Sequence, residues 1–255
     1  MSARLDRPAT RDGLFLWIMH RFAEVFEEHA VIKEGMALRL LDCPRRTVDI
    51  DYVFVPFESK KEIVDRVAQV LHEIDGASVD IDLHSKMLRA DFRVDDAAIQ
   101  IEANVALQCE TIPMATGGFA QSVGQPSQVV RIMSPSTALS HKLAAWNERR
   151  LLRDLYDCYY LAARTGASPD PGVLNHRLSK IESRLPMMKG TRRMSRAQLA
   201  DALREVVKEL TDADLEKELA GLLPAEELAG LAIRIRTAIA GLADIIESDS
   251  SPTYS

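Results

Sequence analysis

Apolar residues recur along this chain with two different periods, and the balance between them shifts about half-way. Leu14, Trp17, Ile18, Phe22, Val25 and Phe26 stand at helical spacing, which predicts an amphipathic helix over residues 13 to about 30. A short apolar piece, Val31-Ile32-Lys33, leads into Glu34-Gly35-Met36-Ala37-Leu38-Arg39, a turn opening a helix that Pro44 ends. Thr47 to Val55 alternates and is rich in β-branched and aromatic residues, the pattern of a strand. Ser59-Lys60-Lys61-Glu62 has the form of a capping box. The helix after it sets Ile63, Val67, Val70, Leu71 and Ile74 on one face, and strand-like runs follow near 78–83, 87–94 and 98–106.

Residues 112–128, rich in Gly, Ser, Pro and Gln, read as a long loop. From Ser134-Pro135, a good helix start, the pattern is helical almost to the end. A second capping box, Ser195 to Gln198, opens another helix, and Pro224 opens a last one with Leu228, Leu231, Ile235, Ile239, Leu242 and Ile246 on one stripe. The expectation is an α+β fold: a mixed sheet with helices over residues 1–128, a helical domain over 129–247 and a disordered tail over 248–255.

Composition narrows the function classes. At 47% hydrophobic and 27% charged, the 255 residues belong to a globular protein rather than a disordered or fibrous one. A net charge of −6 excludes a surface that binds nucleic acid as a whole, so any such site is a local patch. One segment qualifies: between His176 and Arg196, Arg177, Lys180, Arg184, Lys189, Arg192, Arg193 and Arg196 face a single acid, Glu182. Such a run is either a solvated face or a sequence-independent contact for an RNA backbone. Cys43, Cys109 and Cys158 have neither metal-type spacing nor an even number, which fits a reducing cytoplasm and no thiol nucleophile. The apolar stretch Leu14 to Met19 is far too short for a membrane span, so no membrane partner is expected.

The most informative segment is Arg45-Arg46-Thr47-Val48-Asp49-Ile50-Asp51. On a strand, Asp49 and Asp51 point to one face, two rises or about 7 Å apart. Carboxylates so placed suit a hard divalent cation, although a bare Asp-x-Asp also describes the solvated face of an edge strand. Glu102 offers a third carboxylate with the same alternation, in competition with Asp91 and Asp95.

Lys33 to Leu41 followed by Arg45 to Asp51 resembles the first motif of the AbiEii/AbiGii toxin family, nucleotidyltransferases of the DNA polymerase β type. The family pattern is Gly-Gly-Ser/Thr-Ala-Leu-Arg, a short linker containing Arg, then Ser-x-Asp-x-Asp. Downstream, Ser134, Lys142, Ala145, Arg149, Arg153, Asp154, Asp157 and Leu161 match the family's last motif without a gap. The resemblance covers roughly residues 30 to 165. It implies a polymerase β-like nucleotidyltransferase core with a small mixed sheet, followed by helices, and metal-dependent transfer of a nucleoside monophosphate from NTP to an acceptor. An RNA, such as the 3′ end of tRNA, is the acceptor it implies, and an antitoxin the partner.

By that resemblance Asp49 and Asp51 hold Mg²⁺ or Mn²⁺, and Glu102 with Lys142 completes the catalytic set. Gly35, Met36, Arg39, Arg46, Thr47, Lys142, Arg149, Arg153, Asp154 and Asp157 form the nucleotide site, with Lys142, Arg149 and Arg153 on one stripe of a single helix. The basic segment would receive RNA. The chain departs from the pattern at Glu34-Gly35-Met36, where Glu34 adds a negative charge and Met36 bulk in place of a hydroxyl. The family's middle lysine is not obvious, with Lys86 the first choice over Lys60 and Lys61. The departure leaves a rival reading, a non-catalytic member that binds nucleotide, RNA or an antitoxin-like partner.

Overall fold

The computed structural model describes Pro8 and residues 10–248. The chain divides into two compact units, the first ending at Ser134 and the second starting at Pro135. The first contains α1 (Arg11–Phe26), β1 (Ala30–Lys33), α2 (Glu34–Leu40), β2 (Asp49–Phe54), α3 (Val64–Leu71), β3 (Ser78–Leu83), β4 (Leu88–Val94), β5 (Ala97–Val105), β6 (Thr111–Ala115), α4 (Gly117–Ser122) and β7 (Val129–Met133). Its seven strands form one sheet in the order β3-β4-β5-β2-β1-β7-β6. β2 runs parallel to β5 and antiparallel to β1, which itself runs parallel to β7.

Alternation along the strands gives this sheet two chemically distinct faces. Ile50, Tyr52 and Phe54 of β2, Ile99 and Ile101 of β5, and Ala90 and Phe92 of β4 are buried with Leu14, Ile18, Phe22 and Phe26 of α1 and Val67, Val70 and Leu71 of α3. Phe22, Phe26, Tyr52 and Phe54 meet ring to ring at centroid distances of 4.7 to 5.9 Å. Removing one such buried aromatic costs about 3–5 kcal/mol, enough to threaten the unit. The other face presents Asp49, Asp51, Gln100, Glu102, Arg89 and Asp91, half-buried and polar.

Two elements depart from the sequence pattern. The segment expected to be a long loop holds β6 and α4. β6 is the outermost strand, where Pro113 removes no ladder hydrogen bond that the sheet needs. His20 of α1, almost fully buried, reaches Thr116 between β6 and α4 at 2.9 Å, and Thr116 also accepts from the backbone N–H of Gln128. β7 belongs to the sheet, so the boundary lies at Ser134 rather than at residue 128.

The second unit is helical: α5 (Pro135–Arg149), α6 (Leu152–Thr165), α7 (Pro171–Leu178), α8 (Arg196–Glu209), α9 (Asp212–Leu219), α10 (Ala225–Leu228) and α11 (Leu231–Ser248). The last helix is broken at its start, because Gly230 adopts a left-handed φ of 65° between α10 and α11. Ile235, Ile239, Leu242 and Ile246 of α11 are buried, as are Leu199 and Leu203 of α8. Ser248 closes α11, and the rest of the expected disordered tail lies outside the described residues.

Candidate active site

Strand register assembles the carboxylates. Asp51 lies opposite Glu102 on β5 and opposite Lys33 on β1, while Asp49 lies opposite Gln100. Neighbouring strands are about 4.8 Å apart, so Asp49, Asp51 and Glu102 occupy adjoining positions on one rigid face. The register separates the three candidates for the third acid. Glu102 is next to Asp51, Asp91 is one strand further out opposite Gln100, and Asp95 sits in the β4–β5 turn. Arg89 continues the row beyond Glu102, and Asp82 beyond that.

Each carboxylate has its own neighbour. The Thr47 hydroxyl donates to Asp49 at 2.8 Å, the Gln100 amide to Glu102 at 2.5 Å, and the Lys33 ammonium approaches Asp51 at 3.4 Å. Burial pushes the Asp51 carboxyl up to about 6, against the pull of Lys33 and with further upward push from Glu34, Asp49 and Glu102. Among the described residues no three acidic, histidine or cysteine side chains gather as they stand around a point where a metal ion would sit. The donors are nonetheless the right kind: hard oxygens on one face, with a negative charge that a divalent cation would relieve.

The turn before α2 explains why the family pattern has two small residues. Glu34 adopts φ 56°, a left-handed conformation that glycine accepts freely and that costs a glutamate about 1 kcal/mol. Gly35 answers a different constraint, for a methyl there would stand 2.6 Å from Thr47 Oγ1 and 2.9 Å from Thr47 Cβ. Thr47 thus packs onto Gly35 while it holds Asp49. Met36 is fully buried in the apolar cluster. The bulk expected to stand at the nucleotide lies in the core instead, and a serine there would leave a core cavity. Arg39 is also otherwise engaged, in a bidentate pair with Asp12 at 2.9 and 2.7 Å and 4.3 Å above the ring of Phe119. Arg46 is exposed in the linker before β2, and Lys86 is exposed in the β3–β4 turn.

The downstream motif folds differently from the expected single helix. The chain turns at Arg150, φ 56°, so α5 and α6 are separate helices and Lys142, Arg149 and Arg153 share no stripe. Lys142 instead bridges from α5 to α6, 2.9 Å from Asp157 and 3.8 Å from Asp154, all three nearly inaccessible. Arg149 holds Asp154 through two bonds of 3.0 and 2.7 Å. Burial pushes the Asp154 carboxyl up while Lys142 and Arg149 draw it down. These contacts run across the α5–α6 corner rather than along one helix. The start of α6 is capped by Glu218, which accepts from the backbone N–H groups of Leu152 and Arg153. Arg149 and Arg153 are exposed.

The basic residues lie mostly on an irregular segment. Backbone bonds from Ile181 to Arg192 and from Met194 to Leu178, both 3.0 Å, close the base of a loop. Lys180, Arg184, Lys189, Arg192 and Arg193 are exposed, with Met187 beside them at 76% exposure. Arg177 pairs with Glu148 at 3.0 Å, and Arg196 begins α8 half-buried.

Lys33 and Gln100 were not singled out by sequence pattern. Gln100 carries a weak signal, sharing the alternation of Glu102, whereas the pairing of Lys33 with Asp51 depends on strand order.

A stability test follows from Asp51. Its folded carboxyl titrates above its ordinary value of 3.8, so the unfolded chain loses the proton first and stability falls as pH rises from there to about 6. Without metal, Asp51→Asn is therefore more stable than wild type by about 2–3 kcal/mol near neutral pH. In urea unfolding across pH the gap closes as pH falls below the ordinary carboxylate range. Equal stability at every pH would show that the Asp51 charge is already compensated.

Comparison with known proteins bears on the fold and the family. JHP933 of Helicobacter pylori superposes with a TM-score of 0.55 at 16% identity, over 94% of this chain and 93% of that one. MenT4, a nucleotidyltransferase toxin of Mycobacterium tuberculosis, superposes with a TM-score of 0.56 at 17% identity, over 91% of this chain and 82% of that one. The fold is thus the polymerase β-like nucleotidyltransferase core followed by helices. No curated protein sequence matches the chain. The model of the nucleotidyl transferase AbiEii toxin family, described as a type IV toxin–antitoxin system, matches residues 17–241, and the chain belongs to that family.

Proposed function

We propose that the chain transfers a nucleoside monophosphate from an NTP to an RNA acceptor, with tRNA 3′ ends the leading candidate, as the toxin of a toxin–antitoxin pair. The observation that carries this reading is the adjoining placement of Asp49, Asp51 and Glu102 on one sheet face. In the reaction an acceptor hydroxyl oxygen attacks the α-phosphorus, the bond to the β-phosphate oxygen breaks, and pyrophosphate leaves. Glu102 takes the hydroxyl proton, directly or through water. Asp49 and Asp51 would hold Mg²⁺ or Mn²⁺, which supplies Lewis-acid charge to the triphosphate.

Thr47, packed on Gly35, sets the direction of Asp49. Arg149 and Arg153 are the exposed cations proposed to meet phosphates, with Arg46 a further candidate. Lys142, Asp154 and Asp157 act through position, by fixing the α5–α6 corner that presents Arg149. The exposed cations of the loop between Leu178 and Arg196 favour RNA over a small acceptor. An antitoxin partner follows from the family description, and a cytoplasmic site of action from an RNA substrate. Among the described residues no helix is long and apolar enough to cross a membrane.

The non-catalytic rival retains one supporting observation, the charge of Glu34, which acts on Asp51 in the same direction as the other acids. The burial of Met36 takes its bulk out of the rival's case and leaves the missing hydroxyl in it.

Incubation with Mg²⁺, each labelled NTP in turn and total RNA tests the proposal. Wild type labels RNA with one or more NTPs, and Asp49→Asn and Asp51→Asn abolish labelling, since each removes metal charge without removing volume. Labelling that survives in the double variant rules out this site, and none in wild type favours the non-catalytic rival. Neutralising Arg192, Arg193 and Arg196 together should weaken RNA binding and lower its salt slope by about 2–3, with NTP binding unaffected. An unchanged slope makes that segment a solvated surface.

A further inference from the structure

Lys33 ends β1 and immediately precedes the strained Glu34 at the start of α2. In the antiparallel pairing of β1 with β2 it stands opposite Asp51, and its ammonium is 3.4 Å from Asp51 Oδ1. Both side chains are largely withdrawn from water, at 18% and 13% exposure. β1 lies between β2 and β7 in the sheet, so Lys33 stands at the end of an interior strand. A charge-assisted bond of good geometry spans about 2.7–2.9 Å, so this contact is a loose one.

That looseness has a consequence once a cation is taken by the aspartates. An ammonium and a divalent cation repel each other, and Asp51 cannot serve both at full strength in a partly desolvated site. A cation held by Asp49 and Asp51 would leave Lys33 without its partner, still tethered beside the first turn of α2. The phosphate oxygens of an NTP would offer it a second anionic partner, and a lysine is a compact point charge well suited to them.

We propose that Lys33 has two successive partners, Asp51 in the metal-free protein and a phosphate of the nucleoside triphosphate in the loaded one. It thereby lowers the affinity for a cation alone and raises the affinity for the nucleotide, so that the site loads both together. The inference rests on the proposed cation site at Asp49 and Asp51.

Two binding measurements made without turnover test it. Mn²⁺ alone is titrated by electron paramagnetic resonance, and a non-hydrolysable NTP analogue is titrated by calorimetry at saturating Mg²⁺. Lys33→Met should bind Mn²⁺ about three- to tenfold more tightly, because a competing charge is gone. The same variant should bind the analogue about tenfold or more weakly, from loss of a charged hydrogen bond. Lys33→Arg, which keeps the charge, should restore most of the analogue affinity, and Lys33→Gln serves if Lys33→Met is poorly folded. A shift of both affinities in one direction, or of neither, overturns the proposal, because a lysine whose charge does not act on the site cannot move them oppositely. Wild type that binds no Mn²⁺, or binds it equally well as Asp49→Asn, refutes the cation site itself and the inference with it.

Discussion

Three carboxylates occupy adjoining positions of a rigid sheet, and at Asp51 burial and like charge act together. Burial raises its carboxyl to about 6, and Asp49, Glu102 and Glu34 add to the rise. Strand spacing is fixed by backbone hydrogen bonds, so the backbone cannot move apart to ease the repulsion. Side chains respond instead: Thr47 takes Asp49, Gln100 takes Glu102 and Lys33 takes Asp51. Carboxylates held in this way are costly to keep charged without a counter-charge, and the proposed cation would supply one. The aromatic and aliphatic cluster on the opposite face supplies the burial that offsets the cost.

The segment from Lys33 to Asp51 is therefore best understood as one device. The strain at Glu34 sets the exit from β1, the missing Cβ of Gly35 admits Thr47, and Thr47 aims Asp49. Met36, by contrast, does its work in the core. The family pattern of two glycines combines two separate requirements, conformational freedom and space. This chain meets the second and bears the first as strain. Its departure from the pattern is milder than the change of residue types suggests.

Local chemistry was legible in the sequence; pairing across the chain was not. The strands carrying Asp49, Asp51 and Glu102 were visible because alternation has a period of two and one face is buried. The Ser195 capping box forms as its spacing indicates, while that at Ser59 opens a single 3-10 turn ahead of α3. Hidden were β6, because Pro113 and its polar surroundings are tolerated only at a sheet edge, and the break at Arg150, where nothing but a left-handed arginine marks the corner. That break converts an apparent stripe of cations into the Lys142–Asp157 and Arg149–Asp154 pairs. The contact of Lys33 with Asp51 depends on β1 lying beside β2, information that no local window contains.

The central claim is that the Asp49–Asp51–Glu102 face receives a divalent cation together with a nucleoside triphosphate. Crystals grown with Mn²⁺ and a non-hydrolysable NTP analogue test it most directly, through anomalous scattering from the metal. A manganese peak bonded to both Asp49 and Asp51, with the triphosphate beside it, is the expected result. Analogue bound elsewhere, or a peak that lacks either aspartate, would contradict the account.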